Sequence, residues 1–267
     1  MVSAVPAVQN AAMRGQVFLI CIALAAAMPA SGAARADARD DFIAGRSRAC
    51  VHCDLAGANF KRRDLAGADL MGANLKGANF HDAKLAGARL AGADLTGANL
   101  NKADLSRADL SGAILRDAML YAANLDGAIV AGADLTDAMA GTARLTRSNL
   151  AGATLRNADL RKARMAEAIL AGADLTRAAL DFAFLRGAQC ARAKLVGARL
   201  IEAELVEADL TGADLTEADA AGANLRGAIL AHATLAGASF RKADMYETKL
   251  DDAVFDRTTM PDGTVRP

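Results

Sequence analysis

Cys50 and Cys53, with His52 between them, are the one place in this chain where residues suited to redox or metal chemistry stand together. A CxxC of the thioredoxin kind needs a βαβ surround, and the flanking sequence offers none. A zinc site needs at least three protein ligands, and a structural one needs four. A lone CxxC with His52 is too few. His81 and His232 lie far along the chain and pair with no Ser or Cys nucleophile at a usable spacing. What remains for Cys50 and Cys53 is an end-cap, with a disulfide or free thiols both open. No metal and no cofactor are expected. A second constellation is Gly-Ala-Asp-Leu-Thr, which recurs at 92–96, 132–136, 172–176 and 212–216. It sets Asp94, Asp134, Asp174 and Asp214 beside Thr96, Thr136, Thr176 and Thr216. That ladder reads either as a template for a periodic ligand or cation row, or as inherited repetition on a solvated face.

The element that carries these residues has a period of five. From Leu55 to Met260 a large apolar residue occupies every fifth position, here called i; 31 of the 42 are Leu. The others are Phe60, Phe80, Val130, Ala140, Met165, Cys190, Ala220, Phe240, Met245, Phe255 and Met260. Two residues earlier, 37 of the 42 are Ala, the exceptions being Cys53, Arg63, Ser148, Thr248 and Thr258. On a helix, residues two apart point to opposite sides. In a strand, successive five-residue units would alternate faces. The pattern closes only if each unit is a short extended piece followed by a corner. Thirteen i−1 residues are Asp and seven Asn, and eighteen i+2 residues are Gly, which is corner chemistry. Four corners return the chain onto itself, so one coil is twenty residues. The units then make about ten coils, a rod on the order of 50 Å at roughly 4.8 Å per coil.

Composition agrees with a narrow, regular interior: 53% of residues are hydrophobic, yet only 4% are aromatic, with no Trp. Lys plus Arg and Asp plus Glu are both 31, so there is no basic excess of the kind a nucleic-acid footprint needs. Nor is there an acidic tail. Asp and Arg are read as spread evenly over outward positions. Val17–Met28 is a twelve-residue apolar run, too short to span a membrane. Arg14 precedes it and Ala34-Arg35-Ala36 follows, the form of a secretory signal peptide. Residues 1–36 are therefore read as a signal cleaved after Ala36, and Met13 as the true start. The mature chain would carry a net charge of −2. Residues 37–52 would form an N-terminal cap with a short helix around Asp40–Gly45, residues 53–262 the repeat, and 263–267 a tail.

Tandems such as Ala68-Asp69-Leu70-Met71-Gly72 resemble the pentapeptide-repeat family. The resemblance covers residues 53 to about 262. It implies an all-β fold, a right-handed quadrilateral β-helix with i and i−2 pointing inward. Cys50-Val51-His52-Cys53-Asp54-Leu55 resembles the CxxCDL opening of many members, and Thr258–Gly263 a common exit turn. Arg63 departs from the pattern, so the first coil should distort or Arg63 reach outward. Phe60, Phe80 and Phe240 share one face, and Ala140, Ala220 and Cys190 are undersized for the core.

A rod without loop insertions offers no pocket for catalysis, so an enzyme is not expected. The candidate partner-binding residues are apolar ones at outward positions: Ile129, Ile169 and Ile229 on a flat, charge-poor face, then Met119, Tyr121 and Met139, then Phe182 and Phe184 flanking a corner. Contiguous exposed apolar groups mark interfaces. The reading is a non-enzymatic exported rod that presents flat faces to an unknown protein partner or to itself, with no nucleic acid and no stable membrane span. The resemblance also implies an alternative, a DNA-mimicking binder of DNA gyrase that protects against quinolones. Near-neutral charge and a signal peptide disfavour it.

Overall fold

The computed structural model describes residues 32–267, with side chains from Asp37 onward. The signal-peptide assignment lies outside the described residues except for 32–36. Helix α1 (Gly32–Ile43) starts eight residues before the expected helix and runs through the Ala36–Asp37 junction.

From Ala49 to Thr259 the chain winds as a coil in which every i−1 residue bridges, in parallel, the residue twenty positions on, from Ala49↔Asp69 to Ser239↔Thr259. Each side of the coil is so short that a strand shrinks to one bridged residue. Among the described residues, conventional strands occur only at the end, where β1 (Thr258–Thr259) pairs antiparallel with β2 (Val265–Arg266). The expected tail is thus the return strand of a hairpin, with Arg266 lying 3.9 Å from the Phe255 ring centre.

The backbone accounts for its N–H groups unit by unit. Those at i, i−1 and i+2 donate to neighbouring coils, as Leu75, Asn74 and Gly77 do to Asp94, Cys53 and Thr96. The i+3 N–H closes the corner, as Ala78 does to Leu75 at 3.0 Å. One N–H per unit, at i+1, has no backbone acceptor. The i−1 side chain takes it: Asp94 Oδ1 accepts from the Thr96 N–H at 3.1 Å, and Asn99 Oδ1 from Asn101 at 3.1 Å. That is why Asp and Asn dominate i−1.

The interior is a continuous column of buried Ala and Leu. Phe42 from α1 packs edge-on against Phe60 at 5.6 Å, and Phe60 stacks on Phe80 at 5.1 Å, which plugs the first coils. Arg63 neither distorts the coil nor reaches for solvent. It donates to the Ile43 carbonyl at 2.7 Å and to Phe42 O at 3.4 Å, capping the last turn of α1. The other polar i−2 residues donate their hydroxyls to backbone carbonyls: Ser148 to Leu145 O in its own corner (2.6 Å), and Thr248 and Thr258 to Leu225 O (2.8 Å) and Leu235 O (2.7 Å) on the preceding coil. Cys190 and Ala220 do line an apolar void, of about 10 Å³. Burial, with Asp209 adding to it, pushes the Cys190 thiol up to about 12. Cys50 and Cys53 are joined by a disulfide beneath α1.

Candidate interaction surface

The Asp–Thr ladder is consumed by its own corners. In each rung the Asp Oδ1 accepts both the N–H and the hydroxyl of the following Thr, the latter at 2.6 Å. The outer oxygens of Asp94, Asp134 and Asp174 meet Lys76, Arg116 and Arg156 at 3.1, 2.5 and 2.8 Å. Burial alone would raise these three carboxyls, but the Thr hydrogen bonds and the cations outweigh it and hold them below the usual carboxylate range. Only Asp214 has an outer oxygen without a cation, and one carboxylate does not make a cation row. Among the described residues, no cluster of His, Cys, Asp and Glu could hold a metal, and no helix is long and apolar enough to cross a membrane.

The three isoleucines do not meet. They share the column Asp109, Ile129, Asn149, Ile169, Gln189, Asp209, Ile229, and polar residues separate each from the next. Met119 and Met139 do bridge one another directly, with Tyr121 beside them. Tyr121 is 55% exposed, Phe182 43% and Phe184 48%. Phe182 and Phe184 part at the corner. Phe182 turns into a hollow of about 550 Å³ that it shares with Tyr121, three coils away, and with Asp159, Arg161, Lys162, Asp181 and Arg199. Phe184 lines a second hollow of about 550 Å³ with Lys162, Arg164 and Arg186.

Gly141 opens the first hollow. Every other glycine of the repeat sits at i+2 with positive φ, but Gly141 sits at i+1 with ordinary φ, so no turn requires it. A Cβ there would stand 3.6 Å from Tyr121 and 3.9 Å from Asp159 Oδ2. Its absence leaves a gap between the Tyr121 and Arg161 rungs. At the floor, Asp181 is 3% exposed and neither carboxylate oxygen has a hydrogen-bond partner. Arg199 Nη2 approaches to 3.0 Å but off the bonding direction. Arg161 is committed elsewhere, in a two-point contact with Asp159 at 2.8 and 2.6 Å that holds the Asp159 carboxyl below its usual range. Lys162 stands 5.9 Å from the Phe182 ring centre. Sequence reading chose Tyr121 and Phe182 separately and missed Gly141 and Asp181. The signal for Gly141 was there: a glycine off the five-residue beat.

Charge is not evenly spread, contrary to expectation. Residues 141–200 hold eleven Lys and Arg against four Asp and Glu, whereas residues 201–262 hold five against thirteen. A net +7 band thus abuts a net −8 band, and the balance over the whole chain conceals both.

A family model described as pentapeptide repeats matches the chain in eight copies, over residues 53–127, 143–181, 183–219 and 221–257. A comparison with curated proteins gives no match. Among solved structures, the chain is similar to HetL, a pentapeptide repeat protein involved in heterocyst differentiation regulation from Nostoc sp. strain PCC 7120, with 32% identity over 85% of this chain and 97% of that one, TM-score 0.45. It is similar to QnrB1, a plasmid-mediated fluoroquinolone resistance protein, with 18% identity over 76% of this chain and 89% of that one, TM-score 0.46. A pentapeptide repeat protein of the Arabidopsis thaliana thylakoid lumen shares 35% identity over 45% of this chain and 73% of that one, TM-score 0.28.

Proposed function

Because this chain belongs to the pentapeptide-repeat family, whose members form right-handed quadrilateral β-helices and generally act as structural or interaction proteins, we propose that it is a non-enzymatic, exported rod that binds protein. The observation that carries the reading is the hollow between Tyr121 and Phe182, where exposed aromatic rings surround a buried carboxylate without a hydrogen-bond partner. Arg199 offsets the charge of that carboxylate at 3.0 Å but makes no hydrogen bond to it, so its acceptor positions stay open to a partner's donor, and the Tyr121 ring, apolar with one wet end, suits an interface. The apolar run Val17–Met28 behind Arg14 supports export. The gyrase alternative gains nothing, because the basic coils 141–200 interrupt any DNA-like acidic surface.

The test is crosslinking in fractionated cells with the tagged chain, read by mass spectrometry. One partner from the exported fraction, captured by the parent and lost from Tyr121→Ala/Phe182→Gly, is the expected result. Capture unchanged by those substitutions would remove the hollow from the reading. An uncleaved N-terminus in the cytoplasm would remove export.

A further inference from the structure

The two charge bands lie end to end on one rod, and they are most sharply opposed on a single face. On the face of Leu145, Met165, Leu185 and Leu205, the outward positions of the basic band carry Arg144, Arg147, Arg164 and Arg186 against Glu167 alone, a net +3. The same columns in the acidic band carry Glu204, Glu207, Asp244 and Glu247 against Arg226, a net −3. The other three faces are less divided. Within the rod, Arg144 pairs with Asp126, Arg147 with Glu167 at 2.8 Å, Arg186 with Glu207 at 3.5 Å, and Arg226 with Asp244 at 3.2 Å. These exposed pairs are weak individually and offset only part of the excess of each band.

We propose that this face is the docking surface for a second copy of the chain, laid antiparallel. The inference rests on the interaction-rod reading and names one partner for it. A two-fold axis lying in the contact plane, at right angles to the rods, reverses one rod along its length but sets each column against itself. Placed between the coils of Phe184 and Glu204, it brings the basic band of each copy over the acidic band of the other, twice. Columns stay in phase because the coil is twenty residues throughout. Residues one hundred apart then oppose each other at the ends of the overlap: Arg144 with Asp244 of the second copy, and Arg147 with its Glu247. Nearer the axis, Arg186 lies over the level of Glu204 and Glu207, and Glu167 over that of Arg226. Phe184 and Val206 also flank the axis, opposite Glu204 and Arg186 of the second copy, so the aliphatic stems and the ring pack among the charged groups there. The parallel arrangement would put like bands together. Two-fold symmetry closes the contact, so the product is a dimer and not a filament.

Sedimentation equilibrium of the full chain tests this. The parent should dimerise at low salt, and the dimer dissociation constant should rise roughly tenfold or more between 50 and 500 mM salt as the Debye length shrinks. Arg144→Glu/Arg147→Glu and Asp244→Arg/Glu247→Arg should each be monomeric alone; all four residues are exposed, so the core is untouched. Mixing the two variants should restore a dimer, because each then meets its complement. A parent that stays monomeric at low salt, a variant that dimerises alone, or a mixture that does not recover would overturn the pairing. A monomeric chain that still captures a partner through Tyr121 and Phe182 would overturn this pairing and leave the broader reading standing.

Discussion

Asp94, Asp134 and Asp174 show how much one side chain does in this fold. Each supplies the only protein acceptor for an N–H that the backbone ladder leaves over, and each recruits a Thr hydroxyl at 2.6 Å as well. Where i−1 is not Asp or Asn, a side chain one coil earlier can serve: Asn101 Oδ1 accepts from the Tyr121 N–H, and Asp126 Oδ1 from Thr146. The three lowered carboxyls make stability depend on acid. A carboxyl held below its unfolded value contributes stability that is complete above that value, near pH 4, and is lost as pH falls through the folded value. Replacing Thr96, Thr136 and Thr176 by Val removes the hydroxyl donors and brings the folded values back toward the unfolded ones. The acid-unfolding midpoint of the triple variant, followed by circular dichroism, should therefore move to higher pH. An unchanged midpoint would mean that the hydroxyls do not hold these carboxyls ionised.

At the scale of the corner, the i+2 residue takes a left-handed conformation whatever its type, and Phe182 does so with φ +58°. That conformation costs an L-residue about 1–2 kcal/mol relative to glycine, and a bulky ring in it is unusual. Two truncations separate the backbone cost from the ring. Phe182→Ala and Phe182→Gly both remove the ring and its contact with Lys162, but only the glycine relieves the corner. In urea unfolding, the glycine variant should exceed the alanine variant by about 1 kcal/mol, and equality would show that this corner is unstrained. The coil itself was legible from the sequence because every unit repeats the same inward pair, so Leu55 and Phe240 report one environment. Arg63 was legible only as an exception. Its acceptors, the Ile43 and Phe42 carbonyls, belong to a helix outside the beat. The hollow was illegible for a related reason. Tyr121, Gly141, Asp181 and Phe182 meet by stacking on successive coils, so their neighbourhood depends on an exact twenty-residue turn, while sequence reading weighed them one corner at a time.

Over the whole rod, the core and the surface obey different repeats, and this makes them separable. The interior repeats every five residues, so each unit can take any other unit's place. The surface repeats only every twenty, since that many residues return a column to itself. Deleting 101–120, one full coil, should keep every remaining column in line. Solenoid stability is roughly a sum over repeats and their contacts, and the urea m value tracks the surface exposed on unfolding. The shortened rod should unfold cooperatively with m lowered by roughly a tenth, and its self-association should be unchanged, because both charge bands lie beyond the cut. Deleting 196–200 removes a single unit at the boundary between the bands. The core again closes with Leu on Leu, but all later columns turn by a quarter, and the Arg144 column then runs into that of Asp209, Ile229 and Lys249 in place of Glu204, Asn224 and Asp244. Far-UV dichroism and m should barely change, whereas the dimer should weaken. If the five-residue deletion dimerises like the parent, the columns are irrelevant and only the gross opposition of the bands matters. If it fails to fold, the interchangeability of units, on which this account of the core depends, is wrong.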